Sequence, residues 1–349
     1  MLTGERIRSL RHLLGLSQEQ LAAAANIGQS RLSEIENGRL DASNEILERI
    51  ARATGTPLSF FEIIPPDIPL GTLRFRKYAT ARRTEEKRIK ALYDEAYRIT
   101  ADLLVRAGYD GPDLPMVSGD ASSNDIENLA GQAREALQIG GDGPIRHLTR
   151  ACERAGIAVV PLTLPGEEDE AHAVGHFGVS YWPARHEPAV IGYFTGGPGD
   201  RQRFTIGHEL GHLVLHSRRR TAEDPENEAN LFAGALLLPR DRAVEVFSGS
   251  VTLSHLARMK AIWGLSIQAL IMRGSHLGFI DEQRKTSLFR QLGARGWKKN
   301  EPVPVHPEEP LLVRKMLDST YGPYVSEPQI ADRVGLSAMV LRSFAPTAA

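Results

Sequence analysis

The sequence predicts a multidomain protein that is mainly α-helical and carries one small α+β domain. Apolar residues recur at helical spacing through residues 1–61. Stretches rich in proline, glycine and serine at 64–69 and 110–124 interrupt that periodicity and mark linkers. From Asp125 the pattern changes to helix, helix and strand, which is typical of an α+β domain with a small sheet.

Composition excludes several classes of protein. At 349 residues the chain has room for two or three domains, and its formal net charge of -1 gives no global attraction to nucleic acid or membrane. No run of about 18 apolar residues is present, so we expect neither a membrane span nor export. The single cysteine, Cys152, fits a reducing cytosol and is expected to be a small buried hydrophobe. We therefore predict a cytoplasmic protein.

The N-terminal residues read as short helices joined by tight turns. Ser17 and Gln20 have the spacing of a capping box, in which each side chain satisfies a backbone N–H at a helix start. Asn26 suits the left-handed turn before a second helix at 29–36, which stops at Gly38. The apolar residues expected to form the shared core are Leu10, Leu14, Leu21, Ile27, Leu32, Ile35, Leu47 and Ile50. This order of elements is a helix-turn-helix.

A basic segment follows the first linker and becomes helical through about Val105. It is either a solvated helix face or a phosphate-contacting arm, and its cations are Arg74, Arg76, Lys77, Arg82, Arg83, Lys87, Arg88 and Lys90.

The remaining chain divides by pattern into further elements. The expected strands are 157–160, 173–181 and 189–193, and the expected helices are 126–137, 144–155, 204–217 and 225–238. Residues 251–278 have the pattern of a second helix-turn-helix pair, and prolines break the tail. The predicted domains are 1–63 (helix-turn-helix), 64–124 (linker and basic helix), 125–246 (α+β), 247–300 (helical) and 301–349 (proline-rich).

The stretch FTIGHELGHLVLH contains the candidate metal ligands and a candidate general base. His208 and His212 are four residues apart, so on a helix they project from one face and suit two nitrogen ligands of one tetrahedral ion. Glu209 lies beside the first histidine, where a carboxylate can act as general base. Apolar residues surround all three, and buried ionisable groups are costly unless paired or bound to metal. His216 lies too far along the axis to share the ion with His208, so a hydrogen-bonding role is expected.

A catalytic ion needs a third protein ligand. Asp224 can cap a helix that begins at Pro225, which places Glu226 and Glu228 in its first turn. Glu226 shares a face with two alanines that permit close approach of this helix to the histidine helix. We choose Glu226 as the third ligand, with Glu228 as the alternative. The ion is expected to be Zn²⁺, although the same ligands accept Mn²⁺ or another divalent ion.

Two motifs resemble known families. RFTIGHELGHLVLH followed by ENEANLFAGALLLP resembles the ImmA/IrrE family of zinc metallopeptidases. The resemblance implies a zincin-like domain with His208, His212 and Glu226 on the metal. It also implies an endopeptidase that cleaves a helix-turn-helix repressor and so activates stress or mobile-element genes.

The second motif, LSQEQLAAAANIGQSRLSEIENGR, resembles an XRE-type helix-turn-helix domain. This resemblance implies DNA binding, as a homodimer or otherwise, and the residues it implies against DNA are Gln18, Gln29, Ser30, Arg31 and Ser33. Arginines and acidic residues balance at seven each within residues 1–60, which weakens phosphate attraction and leaves a protein partner open.

Two functions compete. The first is a cytosolic zinc-dependent endopeptidase with a regulatory DNA-binding domain. The second is a DNA-binding transcriptional regulator whose metal domain senses a ligand or partner without hydrolysis. Both follow from the same two motifs, and Glu209 distinguishes them because only hydrolysis needs a general base.

Overall fold

The chain forms two compact units, each built from segments distant in sequence. The computed structural model describes residues 2–66, 68, 83–164, 178–219 and 222–346. The first unit comprises Met1–Tyr109, Val160–His176 and Leu311–Ala349, and the second comprises Asp110–Val159 and Phe177–Pro310. The mainly helical, multidomain class predicted from the sequence is confirmed.

The N-terminal part of the first unit consists of four short helices and a 3₁₀ turn, followed by one long helix. These are α1 (Leu2–Leu13), α2 (Gln18–Ala24), α3 (Gln29–Glu36), α4 (Asn44–Thr54), a 3₁₀ turn (Leu58–Glu62) and α5 (Arg83–Arg106). Ser17 and Gln20 form the predicted capping box, and Asn26 has the left-handed φ of 51° that the turn requires. The α2–α3 pair is therefore the predicted helix-turn-helix.

Most of the predicted N-terminal core is buried. The fully buried members are Leu10, Leu21, Leu32, Ile35 and Ile50, whereas Leu14, Ile27 and Leu47 are half-buried. Helix α1 packs against α5 through a buried ion pair in which Arg6 Nη1 lies 2.5 Å from Glu95 Oε1. The Arg6 guanidinium also lies 3.8 Å above the Phe60 ring and donates to the Phe60 carbonyl. These contacts attach α1 to α5 and to the 3₁₀ turn.

The second unit surrounds a small sheet with helices. Its elements are α6 (Ser123–Ala136), α7 (Leu148–Arg154), β1 (Ile157–Pro161), β2 (Gly178–Tyr181), β3 (Ala189–Tyr193), α8 (Gly199–His216), α9 (Pro225–Leu237), α10 (Arg240–Val246), α11 (Leu253–Trp263), α12 (Ile267–His276) and α13 (Glu282–Ala294). The strand order is β1-β3-β2, and β2 pairs antiparallel with β3, with Tyr181 opposite Val190. Strand β2 thus lies at one edge of the sheet, next to α8.

Three helices start at residues other than the predicted ones, each for an identifiable reason. Helix α6 starts at Ser123 rather than 126, because Ser122 and Asp125 form a capping box. Helix α7 starts later than the expected 144, because the His147 ring accepts the N–H of Arg150 and caps the helix there. Helix α8 starts at Gly199, after Pro198, where a missing side chain lets the chain pass close to the His306 carbonyl. The stretch that contains His208, Glu209 and His212 therefore occupies the middle and end of a longer helix than predicted.

The proline-rich tail contains more structure than its composition suggests. Within the second unit, Glu308 accepts the N–H groups of Leu148 and Thr149 at the start of α7. Three further helices follow in the first unit: α14 (Leu312–Tyr321), α15 (Glu327–Val334) and α16 (Ala338–Phe344). A proline is tolerated in the first turn of α15, where an N–H has no helical partner.

Several predicted features lie outside the described residues. They are Arg74, Arg76, Lys77, Arg82, the side chain of Arg83 and the 173–177 part of the second predicted strand.

Candidate metal centre and candidate DNA-reading surface

Helix α8 is buried along almost its whole length, and α9 packs closely across it. A Cβ on Gly211 would lie 3.2 Å from the Ala229 Cα, and one on Gly207 would lie 3.4 Å from the Ala233 Cβ. The alanines of α9 allow the close approach expected of them, and Gly207 and Gly211 provide the matching space on α8. Sequence reasoning missed these two glycines, which recur four residues apart on one helix face.

This close approach brings three ligand-type side chains together. The Nε2 atoms of His208 and His212 are 3.0 Å apart. Glu226 Oε2 lies 3.4 Å from the first nitrogen, and Glu226 Oε1 lies 3.4 Å from the second. Among the described residues this is the His, Cys and carboxylate cluster that could hold a metal ion.

The cluster fits a small tetrahedral cation. Bonds of about 2.0–2.1 Å in tetrahedral geometry set ligand atoms about 3.3–3.4 Å apart, close to the separations seen. The buried Oε2 of Glu226 has no hydrogen-bond partner, although burying an unsatisfied carboxylate oxygen is costly. Two histidines and one carboxylate are also the donor set of a site that leaves a position open. The residues present therefore suit a divalent ion.

Glu209 lies next to this cluster and is turned toward strand β2. Ser180 Oγ donates to Glu209 Oε2 at 2.7 Å and to the Glu209 carbonyl at 3.2 Å. A Cβ on Gly178 would lie 2.7 Å from the Glu209 carboxylate, so only glycine leaves room for it. Burial raises the pKa of Glu209, and the adjacent His212 and His208 partly offset that rise. Ser180 and Gly178 were not foreseen, because their approach depends on the fold.

Two other polar residues of α9, Asn230 and Glu228, contact histidines of α8 through ring nitrogens that face away from the cluster. Asn230 Oδ1 lies 3.0 Å from His208 Nδ1. Glu228, the alternative third ligand, faces away from the cluster, with its Oε2 3.0 Å from His216 Nε2. His216 Nδ1 in turn lies 2.9 Å from His212 Nδ1, in agreement with the hydrogen-bonding role expected of it.

The two glutamates of the first turn are both held ionised. Burial opposes ionisation of Glu226, but His208 and His212 outweigh it and hold its pKa well below the usual range. Burial likewise opposes ionisation of Glu228, and hydrogen bonds from Arg219 and His216 lower its pKa. Both carboxylates are therefore charged at neutral pH.

Three other residues of the second unit with reactive side chains, Cys152, Tyr193 and His186, lie outside the cluster. Cys152 is buried, as expected, and burial raises the pKa of its thiol, which disfavours the thiolate that a nucleophile needs. Tyr193 is buried, which raises its pKa, and it hydrogen-bonds with Gln202. His186 is exposed with a φ of 68°, in the turn between β2 and β3.

The expected DNA-facing residues lie around the start of α3. Gln29, Ser30 and Arg31 are exposed in the first turn. Gln18 is half-buried: its Nε2 donates to Glu36 at 2.8 Å, and its Oε1 accepts from Gln29 at 3.2 Å.

Ser33 lies one turn further along α3, on the same face as Gln29 and Ser30. It is half-buried, and its carbonyl accepts the Asn37 amide at 2.8 Å. Of the five residues expected to contact DNA, Gln29, Ser30 and Arg31 are therefore the most exposed.

Comparison with known proteins assigns families to two regions of the chain. Residues 7–61 match the Helix-turn-helix family model. Residues 152–275 match the peptidase M78 model, described as the IrrE N-terminal-like domain. The chain joins a helix-turn-helix domain to an IrrE-like domain. Both resemblances drawn from the sequence are confirmed.

One curated relative is similar to the first of these regions. It is the "Immunity repressor protein" of Bacillus phage phi105, which is 41% identical over 59 residues. The match covers 17% of this chain and 41% of that protein. Separately, none of the described helices is both long and apolar enough to span a bilayer.

Proposed function

We propose that the protein is a cytosolic, zinc-dependent endopeptidase with a DNA-binding regulatory domain. The observation that carries the proposal is the meeting of His208, His212 and Glu226 around one point, with Glu209 beside them. Mn²⁺ or another divalent ion with the same donor preference is compatible with this site.

The residues divide the work of peptide hydrolysis. His208, His212 and Glu226 would hold the ion, which when bound supplies a Lewis acid that polarises a carbonyl and lowers the pKa of water. Glu209 accepts a proton from the attacking water at Oε1, because Ser180 holds Oε2, and then gives that proton to the leaving nitrogen. Burial of Glu209 helps this role, since a raised pKa makes the carboxylate a better base and its acid a usable donor.

The proposed substrate is a helix-turn-helix repressor. The support is the similarity of the N-terminal region to a phage immunity repressor. A peptidase with such a domain can reach a repressor by binding the same DNA or by pairing with the repressor's like-folded domain. Cleavage would then release the repressed genes, which we expect to be stress or mobile-element genes.

The test is a search for cleaved host proteins. Cells carrying wild type, Glu209→Gln or the exposed control Glu245→Gln are sampled before and after DNA damage, and new protein termini are identified by mass spectrometry. We expect one protein to appear as two fragments with wild type and Glu245→Gln, and intact with Glu209→Gln. Equal fragmentation in all three strains would overturn the mechanism.

A second candidate function is favoured by a separate observation, the exposed first turn of α3. In this alternative the protein regulates transcription by binding paired half-sites as a homodimer, and the metal domain senses a ligand. Glu209→Gln would then leave transcripts unchanged, while Arg31→Ala would change them. The opposite pattern rejects the alternative.

A further inference from the structure

A line of polar side chains leads away from His212, on the side of its ring opposite the candidate metal position. His212 Nδ1 lies 2.9 Å from His216 Nδ1, and His216 Nε2 lies 3.0 Å from Glu228 Oε2. Arg219 Nη2 donates to Glu228 Oε1 at 2.7 Å. We call His216, Glu228 and Arg219 the support chain. All three lie in the second unit, and their side chains are 2%, 15% and 5% exposed.

The donors and acceptors of the support chain allow its hydrogen bonds to run in only one direction. Arg219 can only donate, so the Glu228 carboxylate accepts from it and also accepts from His216 Nε2–H. A neutral His216 that carries its proton on Nε2 has a lone pair on Nδ1, so that nitrogen must accept from His212 Nδ1–H. His212 then has its own lone pair on Nε2. That atom is the one that faces His208 and Glu226.

We propose that the support chain fixes His212 in its Nδ1–H form, holds its Nε2 toward the candidate ion, and so sets the affinity of the site for a divalent cation. Residues that hold an imidazole ligand commonly determine metal affinity in this way. Its members are positioning residues, since none of them reaches the cluster. The inference rests on the proposed metal site.

Packing alone gives no reason for these residue types. An arginine, a carboxylate and an imidazole buried together carry a desolvation cost that apolar residues of similar size would avoid. The partner of the other histidine is simpler, because Asn230 offers His208 a single neutral acceptor. The support chain instead ends on a charge pair.

The experiment measures metal affinity of the full chain, by competing Zn²⁺ against a chromophoric chelator. His216→Phe keeps the ring shape but removes the acceptor, and we expect affinity about 10–100-fold weaker. His216→Asn restores an acceptor near the Nδ1 position and should recover most of that loss. His255→Phe is the matched control, because His255 is half-buried and bonds the Val246 carbonyl elsewhere in the unit. Its affinity should equal wild type.

A double variant tests whether the residues act as one chain. Glu228→Gln places an amide between two donors, so one of its two contacts is lost and affinity should fall. Once His216 is Phe, the same change should cause no further loss, because the link to His212 is already broken. Additive losses would overturn the proposal.

A measurement on the unmutated protein makes the proposal independent of how variants fold. Long-range ¹H–¹⁵N NMR of histidine-labelled, Zn²⁺-loaded protein should show His212 protonated on Nδ1 and His216 on Nε2. The opposite tautomer of either ring overturns the support chain and leaves the metal site standing. Absence of Zn²⁺ binding by the wild-type chain overturns the metal site and the inference together.

Discussion

The molecule contains two helix-turn-helix pairs that sequence patterns do not tell apart. In the first, α2 and α3, Gln29 and Arg31 are exposed at the start of the second helix, and its N-cap residue, Gly28, provides no side-chain hydrogen bond. In the second, α11 and α12, the N–H groups of Ile267 and Gln268 donate to the two oxygens of Glu301. The position where a reader helix would meet a phosphate is therefore filled by the chain's own carboxylate.

The basic side chains of the two pairs also differ in exposure and in whether they have partners. Arg31 in the first pair is exposed, whereas Lys260 in the second is buried, with its Nζ 2.5 Å from Asp200 and 3.0 Å from Glu301. Arg273 is also buried and bonds Glu127 and the Leu238 carbonyl. The comparison teaches that one motif can serve recognition or packing. What decides between them is whether its charges have partners inside the fold.

The largest expected effect is on stability, from the second pair. Lys260→Met leaves the buried Asp200 and Glu301 facing each other without a cation, which should cost about 3–5 kcal/mol in the free energy of unfolding. Urea denaturation measures it. Arg258→Met, an exposed cation on the same helix, should change the free energy of unfolding by less than about 0.5 kcal/mol. Near-equal stability of the two variants would break the comparison.

The second-largest expected effect is a loss of DNA affinity on changing Arg31 in the first pair. Arg31→Ala should weaken binding to a DNA sequence selected by the wild-type chain by about 10–100-fold, while stability stays unchanged. Arg52→Ala provides the control, because Arg52 is also exposed but lies on α4. Fluorescence anisotropy at fixed salt measures the affinities. Lys260→Met, at a temperature where it is folded, should bind DNA as wild type does.

The sequence could predict what is local in the chain. Ser17 and Gln20 identified a helix start by their spacing, and the four-residue spacing of His208 and His212 indicated a shared face. Glu226 was accessible to the same reasoning because it lies on a neighbouring helix with a small-residue face. These features depend on helix periodicity, which a single sequence displays.

What the sequence could not predict depends on contacts between distant segments. Ser180 reaches Glu209 from a strand 29 residues away, and Arg6 pairs with Glu95 at a separation of 89 residues. Helices α14–α16 join the first unit after the whole second unit has been traversed. Composition alone described that tail as proline-rich. Such pairings carry no local periodicity, so nothing in the residue spacing indicates them.

A smaller effect on the free energy of unfolding is expected from Glu301, which caps the start of α12. Glu301→Gln keeps an acceptor for the N–H of Ile267 but removes the negative charge that faces Lys260. Lys260 retains Asp200 as its ion-pair partner. The free energy of unfolding should fall by about 1–2 kcal/mol. The same variant in the Arg31→Ala background should remain weak in DNA binding. Restored binding there would show that α12 reads DNA once uncapped, and the comparison of the two pairs would fail.

The smallest effect is a pH dependence confined to the first pair's domain. Burial, together with Arg11 and Lys87, lowers the pKa of His12 from 6.5 to about 4. The unfolded chain therefore binds a proton at this site that the folded chain refuses between pH 6.5 and 4, so stability is complete above pH 6.5 and falls as pH drops through that window. Because the ring is half-exposed, we expect the loss to be below about 1 kcal/mol.

His12→Gln isolates this contribution, because glutamine has no charge to gain. Thermal unfolding followed by circular dichroism from pH 7 to pH 4 should show a shallower decline for the variant than for wild type. His276→Gln is the counterpart in the second pair, where burial also lowers the histidine pKa, with Arg273 and Lys285 adding to it. If both variants flatten the profile equally, the protonation response is shared by the two pairs. If only His12→Gln does so, the protonation response belongs to the domain of the first pair.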